Sequence, residues 1–261
     1  MAYQNPFLAQ LATGEPAIGC WATTAETVFA EVLGHAGYDF VIVDMQHGTI
    51  ELSTLAPVLQ AIQAGGGKGI VRVPSHEYRD IGKALDLGAL AVVIPLVETA
   101  EEAAAAVTAC RFPPHGTRSW GAIRTGLLIG NEEPRDLERF GCFVMIETVR
   151  GLENVEAIAA VEGLTGIFVG PADLAINLGM STDPSVWSDE QRARHVAATD
   201  RVRDACKRAG IVPGILVGNP ARARGYVETG FQAVTASLDV VVLESGSVRD
   251  LAIARGEAAA G

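Results

Sequence analysis

Basic residues are scarce in this 261-residue chain, where 20 Lys and Arg face 31 Asp and Glu for a net charge of −11. Nucleic acid and anionic membranes both attract basic surfaces, so neither is expected as a partner. An anionic small molecule is still admissible, provided that a local arginine, a metal ion or backbone N–H groups hold it. Cysteine is sparse as well. Cys20, Cys110, Cys142 and Cys206 form no CxxC or zinc-type spacing, and the expectation is reduced, packed thiols in a cytoplasmic protein. No apolar run approaches the roughly 18 residues of a membrane span. The N-terminus has no basic region followed by an apolar core, so no signal peptide is expected. Neither G-x-G-x-x-G after the first strand nor a Walker motif occurs, which removes the usual dinucleotide and nucleotide signatures.

What is present is a regular alternation. Apolar residues make up 49% of the chain, enough for a large core. Short apolar runs at 17–23, 40–46, 69–73, 91–97, 142–148, 166–171, 211–217 and 231–237 read as strands. Helical patterns lie between them, several stopped by glycine, with long ones at 188–209, 219–229 and 239–257. Eight strands alternating with helices in about 250 residues predict a (β/α)8 TIM barrel, with a doubly wound sheet as competitor. Insertions at 112–140 and about 172–187 break the rhythm without forming a linker. A single domain over 1–261 is therefore expected.

In such a barrel, functional side chains gather at the C-terminal ends of the strands. The polar residues there are Trp21, Asp44, His47, Arg72, Glu147 and Asp173. Asp44 and His47 close the run FVIVDMQHG at 40–48 and are a candidate acid–base pair, or simply turn residues. Glu147 and Asp173 each follow an apolar run on neighbouring strands. Two such carboxylates suit a hard divalent cation that keeps some of its waters, or they cap helices and pair with arginines. Arg72, in VRVP, suits a carboxylate or keto oxygen, or an ion pair with a nearby acid. Gly170-Pro171-Ala172-Asp173 leads into a short helix expected at 174–178, whose first N–H groups could take a carboxylate. Lysine occurs only at 68, 83 and 207, before a strand or within helices. Imine chemistry at the mouth is therefore not expected, and a metal must stabilise any enolate.

Taken together, these segments resemble the HpcH/HpaI family of class II pyruvate aldolases in the phosphoenolpyruvate/pyruvate barrel superfamily. The resemblance rests on GYDFVIVDMQHG at 37–48, VRVP at 71–74, LDLGA at 85–89, IPLVETAEE at 94–102, RFPPHGTR at 111–118, IET at 146–148 and VGPADL at 169–174. It implies a divalent metal (Mg²⁺, Mn²⁺ or Co²⁺) on Glu147 and Asp173. Pyruvate chelates that ion, its carboxylate lying on the N–H groups of Ala172 and Asp173, with Trp21 and Leu216 also against the substrate. Arg72 is implied to reach the keto oxygen, and His47, oriented by Asp44, to act with a metal-bound water in the proton transfers. Asp86 matches an acid that in relatives approaches a neighbouring subunit's site. The implied reaction is reversible cleavage of a 4-hydroxy-2-oxo acid to pyruvate, or a close 2-oxo acid such as hydroxypyruvate, and an aldehyde. The implied assembly is a homotrimer or homohexamer that exchanges its C-terminal helix.

The chain departs from the family pattern in three places. Gln46 stands where Glu usually precedes the histidine, Met145 where several relatives carry Gln, and Ser119-Trp120 where Gly commonly follows Arg118. Two other readings stay open on the sequence: an acyl-CoA lyase of the malyl-CoA or citryl-CoA type, and a non-catalytic barrel that binds a 2-oxo acid.

Overall fold

A computed structural model describes residues 3–130, 133 and 139–257. Its eight strands, all parallel, close into a barrel in chain order. They are β1 (Ala17–Ala22), β2 (Phe40–Asp44), β3 (Gly69–Arg72), β4 (Ala91–Ile94), β5 (Gly141–Ile146), β6 (Gly166–Val169), β7 (Val212–Leu216) and β8 (Ala233–Leu238). The expected (β/α)8 barrel is what forms. Several strands end earlier than the apolar runs suggested. β2 stops at Asp44 and β5 at Ile146, because the next residues leave the ladder to form the mouth.

The period of two along each strand divides the core. Phe40 and Ile42, Ile70, Phe143 and Met145, and Phe168 point into the barrel, where they pack with Trp21 and Val93. Val41, Val43, Val71, Val144, Ile146, Ile167 and Val169 point outward and pack under the helices. The helix Pro6–Leu11 plugs the N-terminal end with Phe7 and Leu11. Phe7 is fully buried, its ring centroid 5.3 Å from that of Phe40. Burial of one such ring contributes about 1.5–3 kcal/mol. The same parity carried upward places Asp44 above Ile42, Arg72 above Ile70 and Glu147 above Met145. The site residues are thus the top layer of the barrel interior.

Two helices bear on function. The short helix after β6 runs Pro171–Asn177, three residues earlier than the sequence suggested. Proline at the first helical position loses no hydrogen bond and comes with its φ preset, so it starts the helix. The C-terminal helix, Asp239–Ala254, buries only Asp239, and Val241, Val242, Leu243, Val248, Leu251 and Ile253 are exposed. The insertion at 112–140 contains a helix at Ile123–Ile129, and part of it lies outside the described residues. Among the described residues, no helix is long and apolar enough to cross a membrane. All four cysteines are free and buried.

Candidate active site

β2 and β3 pair so that Asp44 and Arg72 are register partners. That adjacency lets the guanidinium grip the carboxylate with two hydrogen bonds, Nε to Oδ1 at 2.9 Å and Nη2 to Oδ2 at 2.6 Å. Both side chains are buried, Asp44 with 1% and Arg72 with 5% of its surface exposed. Trp21 Nε1 donates to Asp44 Oδ2 at 3.1 Å, and the Arg72 guanidinium lies 4.7 Å from the Trp21 ring centroid. Burial pushes the Asp44 carboxyl up, but the hydrogen bonds and charge of Arg72 outweigh it and hold the group below its usual value. Trp21, expected against the substrate, is 1% exposed and stands as a wall behind the ion pair. Among the described residues, Arg72 Nη1 meets one hydrogen-bond partner, Met145 Sδ at 3.9 Å. Sulfur is a weak acceptor, so this nitrogen retains donor capacity.

The relation between Asp44 and His47 also differs from the expectation. Asp44 Oδ1 accepts from the backbone N–H groups of Gln46 (3.0 Å) and His47 (3.4 Å), not from the imidazole. The carboxylate is committed to Arg72 and shapes the turn. The His47 side chain is exposed and makes no hydrogen bond with a described residue. Its loop is held instead through Thr23, whose carbonyl accepts from Thr49 N at 2.7 Å. A Cβ at Gly48 would lie 2.4 Å from the Asp44 carbonyl oxygen and 2.6 Å from that of Thr23, so only glycine fits there. Thr23 and Thr24 are moored by Asp239, which accepts from both backbone N–H groups and both hydroxyls at 2.7–3.0 Å. Sequence reasoning missed Asp239, because nothing local marks a helix-starting acid that pairs with residues more than 200 positions away.

Glu147 sits across the mouth and is 2% exposed. Its Oε1 accepts from Leu96 N at 2.7 Å. Leu96 has φ of +53°, in the left-handed region that costs a non-glycine residue about 1–3 kcal/mol. That turn, held by Val97 N to the Met145 carbonyl at 3.2 Å and by His76 Nε2 to the Pro95 carbonyl at 2.5 Å, aims an N–H at the carboxylate. A Cβ on Gly170 would stand 2.5 Å from Glu147 Oε2, so the bare backbone makes room for that oxygen. Burial raises the Glu147 carboxyl to about 6; the Leu96 N–H and Arg72 act against it, while the charges of Asp173 and Asp44 add to it.

Asp173, in the first turn of the helix that begins at Pro171, is half-buried and supplies the second acid. Neither Glu147 nor Asp173 forms an ion pair with a described residue. No group of three or more metal-ligating side chains occurs among the described residues. A divalent cation here would take two carboxylates and fill its other positions with water or substrate, which fits a hard cation. A buried acid raised by a neighbouring acid, with one oxygen unpaired, is the environment that such an ion relieves. The N–H groups of Ala172 and Asp173 belong to the first turn, where a helix offers them no carbonyl.

Ala172 and Leu216 share a cleft of about 170 Å³ beside Asp173, so both stand at this mouth. Asp86 does not. It ends the helix Tyr78–Asp86, pairs with Arg118 at 2.9 Å and lines a separate cleft with Lys83 and Trp120. Of the lysines, Lys68 precedes β3 and the other two lie in helices away from the mouth.

Residues 17–245 match the HpcH/HpaI aldolase/citrate lyase family. The chain is 37% identical over 248 residues to a 5-keto-4-deoxy-D-glucarate aldolase of Klebsiella pneumoniae, covering 94% of each protein. It is 37% identical over 243 residues to a hydroxypyruvate/pyruvate aldolase of Rhizorhabdus wittichii, covering 93% of this chain and 95% of that one. The crystal structure of a HpcH/HpaI aldolase/citrate lyase family protein from Burkholderia cenocepacia superposes with a TM-score of 0.87 at 34% identity, over 95% of this chain and 98% of the other.

Proposed function

This chain belongs to the HpcH/HpaI aldolase/citrate lyase family and is a carbon–carbon lyase of the aldolase type, and we propose that it reversibly cleaves a 4-hydroxy-2-oxo acid to pyruvate, or hydroxypyruvate, and an aldehyde. The observation that carries this reading is the pair of acids Glu147 and Asp173, in no ion pair with a described residue, facing the Asp44–Arg72 pair across one barrel mouth. Glu147 and Asp173 would hold a divalent ion, and Mg²⁺, Mn²⁺ and Co²⁺ all suit two carboxylates with open positions. When bound, the ion supplies Lewis-acid polarisation of the 2-oxo acid.

The chain's own groups account for the rest. The first-turn N–H groups of Ala172 and Asp173 take the substrate carboxylate, and Arg72 Nη1 donates to the keto oxygen. Asp44 keeps the guanidinium aimed, and Trp21 backs it. His47 accepts the proton of the C4 hydroxyl as the C4 carbonyl forms and the C3–C4 bond breaks. The bonding pair moves through C2 onto the keto oxygen, where Arg72 stabilises the enolate charge. Return of a proton to C3 releases pyruvate. The imidazole projects from a loop fixed at Asp44 and Thr23, so it reaches the substrate from the solvent side.

The same reading includes a homotrimer or homohexamer in a reducing, cytoplasmic setting. The apolar face of Asp239–Ala254 supports exchange of that helix between subunits, with Asp86 turned toward a neighbour's mouth. An acyl-CoA substrate is disfavoured, because the cleft beside Ala172 has only about 170 Å³ for a nucleotide-bearing group. The test is pyruvate release from a panel of 4-hydroxy-2-oxo acids, with chelator and with Mg²⁺, Mn²⁺ or Co²⁺ restored. Activity should vanish on chelation and return with metal. Full activity after rigorous stripping, or pyruvate binding without turnover of any panel member, would overturn the reading.

A further inference from the structure

We propose that Arg222 selects the aldehyde half of the substrate by pairing with a carboxylate on it. The inference deepens the aldolase reading and rests on it. A cleft of about 170 Å³, lined by Pro171, Ala172, Leu216 and Arg222 among others, adjoins the helix start proposed to hold pyruvate, and the aldehyde half is assigned to it. Trp187 and Leu238 make its walls largely apolar. His195 lies behind them, 2% exposed, and donates from Nε2 to the Pro171 carbonyl at 3.1 Å. Burial lowers the His195 pKa, the hydrogen bond to Pro171 opposes it, and the charge of Arg222 acts with burial. Among the described residues that line the cleft, Arg222 is the one with a fixed charge.

Arg222 is exposed, and it is anchored through its backbone. Arg222 sits in the first turn of the helix Pro220–Thr229, where its backbone N–H donates to Asn219 Oδ1 at 3.0 Å. Its side chain makes no hydrogen bond or ion pair with a described residue. Arg224, two positions on, pairs instead with Glu228 at 3.0 Å. In a protein of net charge −11, an anionic aldehyde is repelled by the average surface and needs a local cation to enter. A guanidinium offers a planar fork that matches a carboxylate with two parallel hydrogen bonds. The cleft has the volume of roughly five or six waters, enough for a short aldehyde acid.

Pyruvate condensation with succinic semialdehyde and with butyraldehyde, matched in carbon number, tests the assignment on the full-length metal-loaded enzyme. Glyceraldehyde 3-phosphate against glyceraldehyde gives a phosphate arm, and exchange of the pyruvate methyl protons reports the pyruvate half alone. Arg222→Gln should lower kcat/KM for succinic semialdehyde about tenfold to a hundredfold, mainly through KM, as expected for a lost charge-assisted pair. Butyraldehyde and methyl-proton exchange should stay within about twofold, and Arg222→Lys should fall between, keeping the charge without the fork. Equal loss on both aldehydes, or loss on neither, overturns the proposal, as does a loss confined to the phosphorylated aldehyde. If the parent enzyme neither exchanges pyruvate protons nor condenses any aldehyde, the aldolase reading fails and takes this one with it. Normal exchange without discrimination by Arg222 sinks the present proposal alone.

Discussion

Asn at position 44 keeps the size of the aspartate and removes its charge, which isolates what the Asp44–Arg72 pair does. Both partners are at least 95% buried and joined by two hydrogen bonds. Removing one charge from a buried pair strands the other and costs about 3–5 kcal/mol. In a domain of this size each kcal/mol lowers Tm by about 2–4 °C, so Asp44→Asn should melt roughly 6–20 °C below the parent. Arg72→Met should cost less, because the stranded carboxylate keeps the Trp21 indole and two backbone N–H donors. The double variant strands neither charge, and it should fall short of the summed single effects by about 2 kcal/mol. The pH dependence has a definite sign. The folded Asp44 carboxyl lies below its ordinary value of 3.8, so its contribution is complete above that value and is lost as pH falls through the folded one. The gap between parent and Asp44→Asn should therefore be full at pH 7 and narrow in acid. Calorimetry of the four proteins from pH 3 to 7 measures all of this. Additivity within about 0.5 kcal/mol would refute the coupling.

Glu147→Gln should abolish turnover and the thermal shift that Mn²⁺ or Mg²⁺ gives the parent; retained metal affinity by titration calorimetry would remove Glu147 from the metal site. Because burial raises that carboxyl from 4.5 to about 6, the metal-stripped parent should lose about 2 kcal/mol through this group as pH rises across that window. Metal-stripped Glu147→Gln should lack that loss in a melting series. Gly170→Ala places a Cβ 2.5 Å from Glu147 Oε2, so it should weaken metal binding while the barrel still folds, with a cost of about 1–3 kcal/mol; unchanged metal affinity would show that the gap is not needed. His47→Ala should slow cleavage about a hundredfold to ten-thousandfold with pyruvate affinity nearly intact, and parent-like turnover would return His47 to a loop residue.

The barrel was legible in the chain because its two signals are local. Apolar runs such as FVIV at 40–43 mark strands buried on both faces, and glycine after a helical pattern marks its end. The placing of Asp44, Arg72 and Glu147 at one mouth follows from the same information, since parity along a strand settles which side chains face inward. Residue type and the family resemblance together put forward Glu147 and Asp173 as the acids for a metal and Arg72 for the keto oxygen.

Tertiary structure decided who touches whom. Asp44 lies three positions from His47 and 28 from Arg72, and its carboxylate goes to Arg72, because neighbouring strands bring register partners closer than a turn brings its own side chains. Glu147 is aimed by the backbone of Leu96 in a left-handed turn, a conformation that leucine's identity does not announce. The histidine loop is moored through Thr23 to Asp239, and the cleft at Arg222 is assembled from the helix after β6, residues 182–195 and the ends of β7 and β8. Short-range pattern, by itself, determined the elements and the residue types at their ends. Which of those residues share protons and charge was left to the closure of the barrel, because hydrogen bonds depend on distances of a few ångströms that sequence spacing does not encode.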